Sequence, residues 1–453
     1  MTTASLARFV VDTRFNDLPA EVVEATKLYF LDWLGSAYAG SSSEPGRIIL
    51  NLVEELGGVP EATVIASRRR TSCLYAALAN AAASHAVEMD DLDRRSIYHP
   101  AAPIMPAALA VAERQQQSGA EFVRAVVLGY EASIRIGEAV NPSHYQYWHT
   151  TGTVGTFGAA VAASVLLNLN FEQTVWALGS AGTQAAGLWE FLVDGAMSKQ
   201  LHPAKAAMNG VLSSLLAKRG FSAATRILEG EKGFCRATAS SYDLEKVTED
   251  LKPSMHSYKI SQVSFKQHAS CRHTHSAIDA TLDLVNKHHL LPEDIRSVTV
   301  KIYSGAMDLL GKVEANTPYA AKFNLPYCVA VAAIYKNVGL DKFTDAFLQD
   351  AQVRSLMERV KLVVDISLDE FYPEKWPTVV EVTTTGGQKL VSRVDYPKGD
   401  PENPLSRDEL LTKFSALASP VIGLAQTGSY IRDILRLEQI ENMASLIPPV
   451  ASA

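Results

Sequence analysis

The sequence predicts a mainly α protein: a large all-helical domain, then a smaller α+β module, then further helices. Three observations carry this. Apolar residues recur at helical spacing through the first half, β-branched alternation begins only after about Ser261, and a helix-start signal follows the Pro/Gly-rich stretch YPKGDPENP. At 453 residues the chain exceeds what one hydrophobic core fills, so two domains follow.

Pro19 suits a first helical residue. Val22, Val23, Ala25, Leu28 and Leu31 then recur at helical spacing, and Gly40 suits the end. Segments 73–87 and 103–113 read the same way. Segments 155–169 and 172–188 are apolar nearly all round, which predicts two central helices packed on every side. A further helix is expected over 205–219, capped by Gly220. Past Ser261, Val298, Val300 and Ile302 alternate and predict a strand over 297–303. Segments 359–364 and 378–385 are rich in β-branched residues, and Gly386 and Gly387 turn the chain into a hairpin partner over 389–396. Helices over 274–288 and 326–335 lie between these strands. The loop 396–404 marks a boundary. Ser406 and Glu409 then form a capping box that starts a helix returning to the first domain. The expected domains are 1–261, 262–398 and 399–453.

Hydrophobic residues make up 47% and charged residues 20%, a globular balance that excludes a disordered chain. A net charge of −7 excludes a generally basic nucleic-acid binder, and an anionic substrate would need a local basic pocket. The four cysteines form no CxxC pair, which fits reduced thiols in a cytoplasmic protein and gives neither a zinc ribbon nor an iron–sulfur run. The first residues lack the pattern of a signal peptide. The uncharged stretch 150–171 is rich in Gly, Thr and Ala and ends near Asn168 and Asn170, so a buried helix is expected there and no membrane span.

Five segments could carry chemistry. HAVEMDDLDRRSIYHP (85–100) holds Glu88, Asp90, Asp91, Asp93 and His99. It reads as a solvated helix end neutralised by Arg94 and Arg95, or as an acidic site. A magnesium motif of the prenyl-synthase type is a poorer match, because Arg94 replaces the last acid and no second acidic motif follows. YWHTTGTVGTF (147–157) places His149 before a helix N-terminus, where anions are favoured, or where a histidine simply caps. SKQLHPAK (198–205) brings Lys199, His202 and Lys205 to a helix start. FKQHASCRHTH (265–275) holds Lys266, Cys271, Arg272 and His273. Its spacing matches no zinc signature, and Lys and Arg suit a carboxylate pocket beside a cysteine that could exchange protons. Tyr327 opens an apolar helix and reads equally as a core tyrosine.

Taken in order, HAVEMDD…HPAAPIMPAALAVAE, WHTTGTVGTFGAAVAA, LGSAGTQAAG, SKQLHPAKAAMNG, KQHASCRHTH, KFNLPYCVA and YPKGDPENP resemble the MmgE/PrpD family over nearly the whole chain. That family includes 2-methylcitrate dehydratase, cis-aconitate decarboxylase and iminodisuccinate epimerase. The resemblance implies a helical domain with a smaller α+β lid domain inserted before the C-terminal helices. It also implies a homodimer, no cofactor, no metal, and a small anionic polycarboxylate as substrate. Carried over by position, it implies catalytic roles for Glu88, Asp91, His99, His149, Lys199, Lys266, Cys271 and Tyr327, with His202, Arg272 and His273 binding substrate. His99 would be the general acid–base, tuned by Glu88 or Asp91, and the cations would hold the charge that develops beside a carboxylate. All of these groups are expected to gather in one positively lined crevice, where lid closure excludes water. Two departures bear on the reaction. Glu88 stands where the dehydratases and the decarboxylase resemble one another in having Asp, and Cys271 stands where the animal-type decarboxylase has His. The expected reaction is therefore loss of water from a 2-methylcitrate- or citrate-type acid, with an epimerase or a cis-aconitate-type decarboxylase as alternatives. A magnesium-dependent prenyl-transfer enzyme and a non-catalytic scaffold are the readings from other classes.

Overall fold

The computed structural model describes residues 1–67, 69–253 and 257–447. The chain forms two compact units. The first runs from Met1 to Val263 and resumes at Ser406; the second is Ser264–Leu405.

The first unit is helical. Its core is built from α1 (Thr2–Asp12), α2 (Ala20–Ser41), α3 (Glu44–Leu56), α4 (Cys73–Ala86), α5 (Ala101–Gln115), α6 (Gly119–Val140), α7 (Thr150–Leu166), α8 (Phe171–Gly182) and α9 (Ser198–Lys218). Every residue of α7 is buried, as an all-apolar helix requires. Helix α8 departs from expectation. It ends at Gly182, and Glu172 on its outer side is exposed, so only one face is packed. Helix α9 starts seven residues before the expected 205. Pro203 lies inside it, tolerated in the second turn at the loss of one backbone bond, so Lys199, His202 and Lys205 ride on the helix itself. Helix α6, almost wholly buried, has no counterpart among the expected elements.

The second unit holds α10 (His275–Lys287), α11 (Leu325–Tyr335) and a sheet of β1 (Ile295–Ile302), β2 (Val360–Val364), β3 (Thr378–Thr384) and β4 (Lys389–Val394). The sheet order is β2-β1-β3-β4. Strand β1 runs parallel to β2, with Val298 opposite Val360, and antiparallel to β3, with Val300 opposite Val380. Strands β3 and β4 form the expected hairpin. Strand β3 alternates buried and half-buried residues, so one face covers the core. The architecture is mainly α with a small α+β region.

The segment after Leu405 belongs to the first unit. The capping box of Ser406 and Glu409 opens α12 (Arg407–Ile434), which packs on α2. The Tyr38 hydroxyl meets that of Tyr430 at 3.2 Å, and the Lys413 ammonium pairs with Asp32 at 2.5 Å. Among the described residues, no helix is long and apolar enough to cross a membrane.

Candidate active site

The acidic segment is not the solvated helix end it resembles. Glu88, Asp90, Asp91 and Asp93 are all buried, as is Arg94, and only Arg95 is exposed. Four acids this close survive burial because each turns to a different partner. Asp90 accepts from His85 Nδ1 at 2.7 Å. Asp91 accepts from the Ala101 amide at 3.0 Å and the Tyr130 hydroxyl at 2.8 Å, fixing the start of α5. Asp93 accepts from the Ser96 amide and hydroxyl and closes a tight turn. Glu88 forms a buried ion pair with Lys199 of α9. These divergent partners also rule against a shared magnesium face on Asp90, Asp91 and Asp93.

Glu88 follows the end of α4 with φ = +58°, a left-handed conformation that a glycine adopts at lower cost. A non-glycine residue is held there because its carboxylate must reach Lys199, a mark of functional strain. The loop is tied from behind by Lys413, which donates to the Met89 carbonyl at 2.8 Å.

His99 Nδ1 lies 2.6 Å from the Asp91 carbonyl. A carbonyl only accepts, so Nδ1 carries the hydrogen and Nε2 is the atom left to exchange a proton. The His99 amide also reaches Thr151 Oγ1 at 3.3 Å, which links it to the first turn of α7.

His149 sits at the N-cap of α7, and its Nδ1 is 3.0 Å from His202 Nδ1. Such a bond needs one donor and one acceptor, so the two rings cannot both be protonated. Burial, reinforced by neighbouring cations, drives both rings neutral: His149 falls well below the usual imidazole range and His202 falls to about 4. Burial also lowers Lys205 to about 8. Two glycines admit the His202 ring. A Cβ on Gly152 would stand 2.9 Å from His202 Cβ, and one on Gly187, at φ = +147°, would stand 3.2 Å from the ring.

These groups form one interior cluster within the first unit. The His85 ring lies 5.0 Å from that of His99 and 5.7 Å from that of His149, and His149 lies 5.2 Å from His202 and 4.8 Å from Trp189. Glu88, His99, His149, Lys199 and His202 all belong to it; Asp91 stands at its back, occupied by α5 and Tyr130. His85 had no functional reading from the sequence, where it looks like one more helical residue. The available signal was its spacing of five residues from Asp90, across the end of α4.

The second unit gathers a different set. Lys266 is wholly buried. The Arg272 guanidinium forms a buried ion pair with Asp400 and donates to the Phe265 carbonyl at 3.2 Å. His273 shares a 2.5 Å hydrogen bond with the Tyr303 hydroxyl and stacks on Trp376 with ring centroids 4.1 Å apart. Burial, helped by nearby Lys266, holds it neutral down to about 3. Cys271 is buried, and its amide donates to the Lys322 carbonyl. The Tyr327 hydroxyl donates to the Lys342 carbonyl at 2.5 Å, and the residue lines a cavity of about 320 Å³ with Asn324, Glu314 and Arg354.

Among the described residues, His85, Asp90 and His99 are the metal-ligating types that lie closest together, with donor atoms within 4.8 Å of one another. A metal held through His99 Nδ1 would need a lone pair there, yet that atom is turned to a carbonyl and so carries hydrogen. The donor set fits a hydrogen-bonded cluster, not a metal centre.

The helical core thus buries histidines, a lysine–glutamate pair and a strained acid loop in one cluster. Residues 4–246 match the model of the MmgE/PrpD N-terminal domain and residues 268–437 that of the C-terminal domain, so the chain belongs to the MmgE/PrpD family. Among its relatives is a cis-aconitate decarboxylase-like protein of Aspergillus oryzae, 28% identical over 98% of this chain and 96% of its own length. The cis-aconitate decarboxylases of Aspergillus terreus and Homo sapiens are each 25% identical over 98% of this chain, and 95% and 93% of their own lengths. The relatives support an enzyme of the lyase type, and their names match the decarboxylase alternative and not the dehydratase favoured from the sequence.

Proposed function

We propose that this chain is a lyase that releases carbon dioxide from a small tricarboxylate of the cis-aconitate type. The observation that carries the reading is the buried cluster of His99, His149, His202 and the Lys199–Glu88 pair, in a chain similar to decarboxylases along its whole length. In the reaction the bond to one carboxylate breaks and carbon dioxide leaves. The electron pair moves through the adjacent double bond toward a carbon beside a second carboxylate, and a proton joins that carbon.

Charge therefore builds on a carboxylate that stays bound. A preorganised cation in a dry interior stabilises it more strongly than water does. Lys199 supplies that charge, and Glu88 fixes where its ammonium stands. His99, with Nδ1 locked by the Asp91 carbonyl, gives the proton from Nε2 and is recharged from solvent. The neutral His149–His202 pair supplies ring N–H and lone-pair atoms for a substrate carboxylate or hydroxyl without adding net charge. Lys266, Cys271 and Tyr327 are proposed participants, each tested by its own variant.

A second reading is loss of water from a 2-methylcitrate- or citrate-type hydroxy acid, favoured by Cys271, which stands where the animal-type decarboxylase resembles its relatives in having His. The test is purified protein with cis-aconitate, citrate, 2-methylcitrate or iminodisuccinate, followed by proton NMR in deuterated water and by carbon dioxide release. Carbon dioxide from cis-aconitate at more than a hundred times the blank rate supports the first reading. Water loss from a hydroxy acid alone replaces it with the second, and deuterium exchange in iminodisuccinate without net loss makes the chain an epimerase.

A further inference from the structure

One carboxylate in the acid loop serves two imidazoles. Asp90 Oδ2 lies 2.7 Å from His85 Nδ1 and 3.5 Å from His99 Nδ1. The His85 and Asp90 side chains are wholly buried, so water does not screen the contact. His99 Nδ1 has its short bond to the Asp91 carbonyl and lies near Asp90 at the longer distance, while His85 holds the short bond to Asp90. His85 Nε2, on the far side of its ring, is buried without a hydrogen-bond partner among the described residues. A helix of the core thus places a buried imidazole, open at one nitrogen, directly on the carboxylate that backs His99.

We infer that His85 is a positioning residue for His99: it competes for the Asp90 carboxylate and so limits how strongly that carboxylate can hold a proton on His99. This rests on the reading of His99 as the proton donor. In water-free surroundings an ion pair at hydrogen-bond distance keeps an imidazole protonated and makes it a poor acid. Sharing the carboxylate weakens that hold, so His99 can release its proton at the moment of reaction.

The other titratable groups around this trio bear on the same equilibrium. From the loop come Glu88, paired with Lys199 of α9, and Asp91, whose carboxyl is raised by burial. Helix α7 contributes His149, helix α9 His202, and helix α6 the Tyr130 hydroxyl on Asp91. From α2 and α12 come Asp32 and Lys413, which neutralise each other, and Tyr29, whose hydroxyl stays protonated. His85 and His99 both stand on the one carboxylate, so changing His85 alters the share left to His99.

The variants separate competition from packing. His85→Leu removes the donor; His85→Asn keeps an N–H donor where Nδ1 stood but cannot titrate; Asp90→Asn removes the charge at constant shape. Each is read by carbon-13 NMR of labelled histidine, with the His99 resonance assigned from His99→Gln, and by the pH profile of kcat/KM. The NMR titration needs no substrate, so it stands even if the proposed reaction is wrong.

The expected result is that His85→Leu raises the His99 midpoint by about one pH unit, Asp90→Asn lowers it by about as much, and His85→Asn leaves it within a few tenths. The alkaline limb of the rate profile, where His99 loses the proton it donates, moves the same way, with KM changed less than twofold. If His85→Leu does not fold, Asp90→Asn and His85→Asn decide between them. A His99 midpoint unmoved by Asp90→Asn overturns the inference. So does a loss of activity in His85→Leu with no shift in the profile, which is what a packing role predicts. Stoichiometric zinc or manganese in the purified protein, lost on His85→Asn, would assign the trio to metal binding instead.

Discussion

The two histidine-rich regions of this chain use the same side chains to different ends. In the first unit, His85, His99, His149 and His202 lean on one another and on a single acid loop, and the His85–Asp90 contact leaves a ring nitrogen open. In the second unit Arg272 and His268 are each tied to an acid of the same unit. Arg272 is paired with Asp400, and His268 is held at 2.8 Å by Asp279, whose carboxyl falls below the usual range through that bond and the Lys398 amide. His273 is pinned between Tyr303 and Trp376. A cationic motif in a sequence therefore does not say whether its charge is offered to a substrate or consumed by the fold. The partner decides, and the partner is usually remote.

The sharpest way to break this comparison is to remove one member of each set. His99→Gln is expected to lower kcat by about 10²- to 10⁴-fold, with the unfolding midpoint in urea nearly unchanged. Arg272→Met should do the reverse. It strands a buried carboxylate and costs about 3–5 kcal/mol of stability, while the double variant Arg272→Met/Asp400→Leu recovers most of that loss. Urea titrations beside carbon dioxide assays read both. If Arg272→Met stayed as stable as wild type and lost only activity, the contrast would be wrong.

A smaller effect follows from the neutral histidine pair. The His202 midpoint is lowered to about 4 in the folded chain, against about 6.5 unfolded. Between those values the unfolded chain binds the proton and the folded chain does not, so stability falls as pH falls. From pH 7 to pH 5 this one ring accounts for about 2 kcal/mol, which His202→Asn should abolish. Glu113, raised to about 7 chiefly by burial, works with the opposite sign: its contribution is fully present below about pH 4.5 and lost as pH rises through 7. Glu113→Gln should therefore steepen the fall on acidification, where His202→Asn flattens it, as measured by urea denaturation at pH 7 and pH 5.

The smallest expected change is Tyr303→Phe. It removes one buried hydrogen bond to His273 and costs about 1 kcal/mol. The rate should stay within twofold if His273 is held for structure. A tenfold fall would instead move His273 into the substrate-binding set and sharpen the comparison from the other side.

Much of the architecture is legible along the chain. Period-3.6 apolar runs place α2, α4, α5 and α7 within a few residues, the alternation of Val298, Val300 and Ile302 locates β1, and Ser406 with Glu409 marks the start of α12. These are local patterns, written within one or two turns of backbone. The start of α9 was harder to read, because Pro203 looks like a boundary unless the helix is already under way. Glu88, His99, His149 and Lys199 stand out by residue type and by resemblance, but His85 does not.

Which charges are spent and which stay available was settled only when the chain closed on itself. The Lys199–Glu88 pair joins residues 111 apart and Arg272–Asp400 joins residues 128 apart. No local pattern encodes such contacts, because they form where helix packing leaves two remote side chains in the same dry space. Burial also fixes the protonation of the neighbouring histidines. The neutrality of His149 and His202, the depth of the acid loop and the shared Asp90 carboxylate all follow from low-dielectric surroundings that exist only in the folded interior.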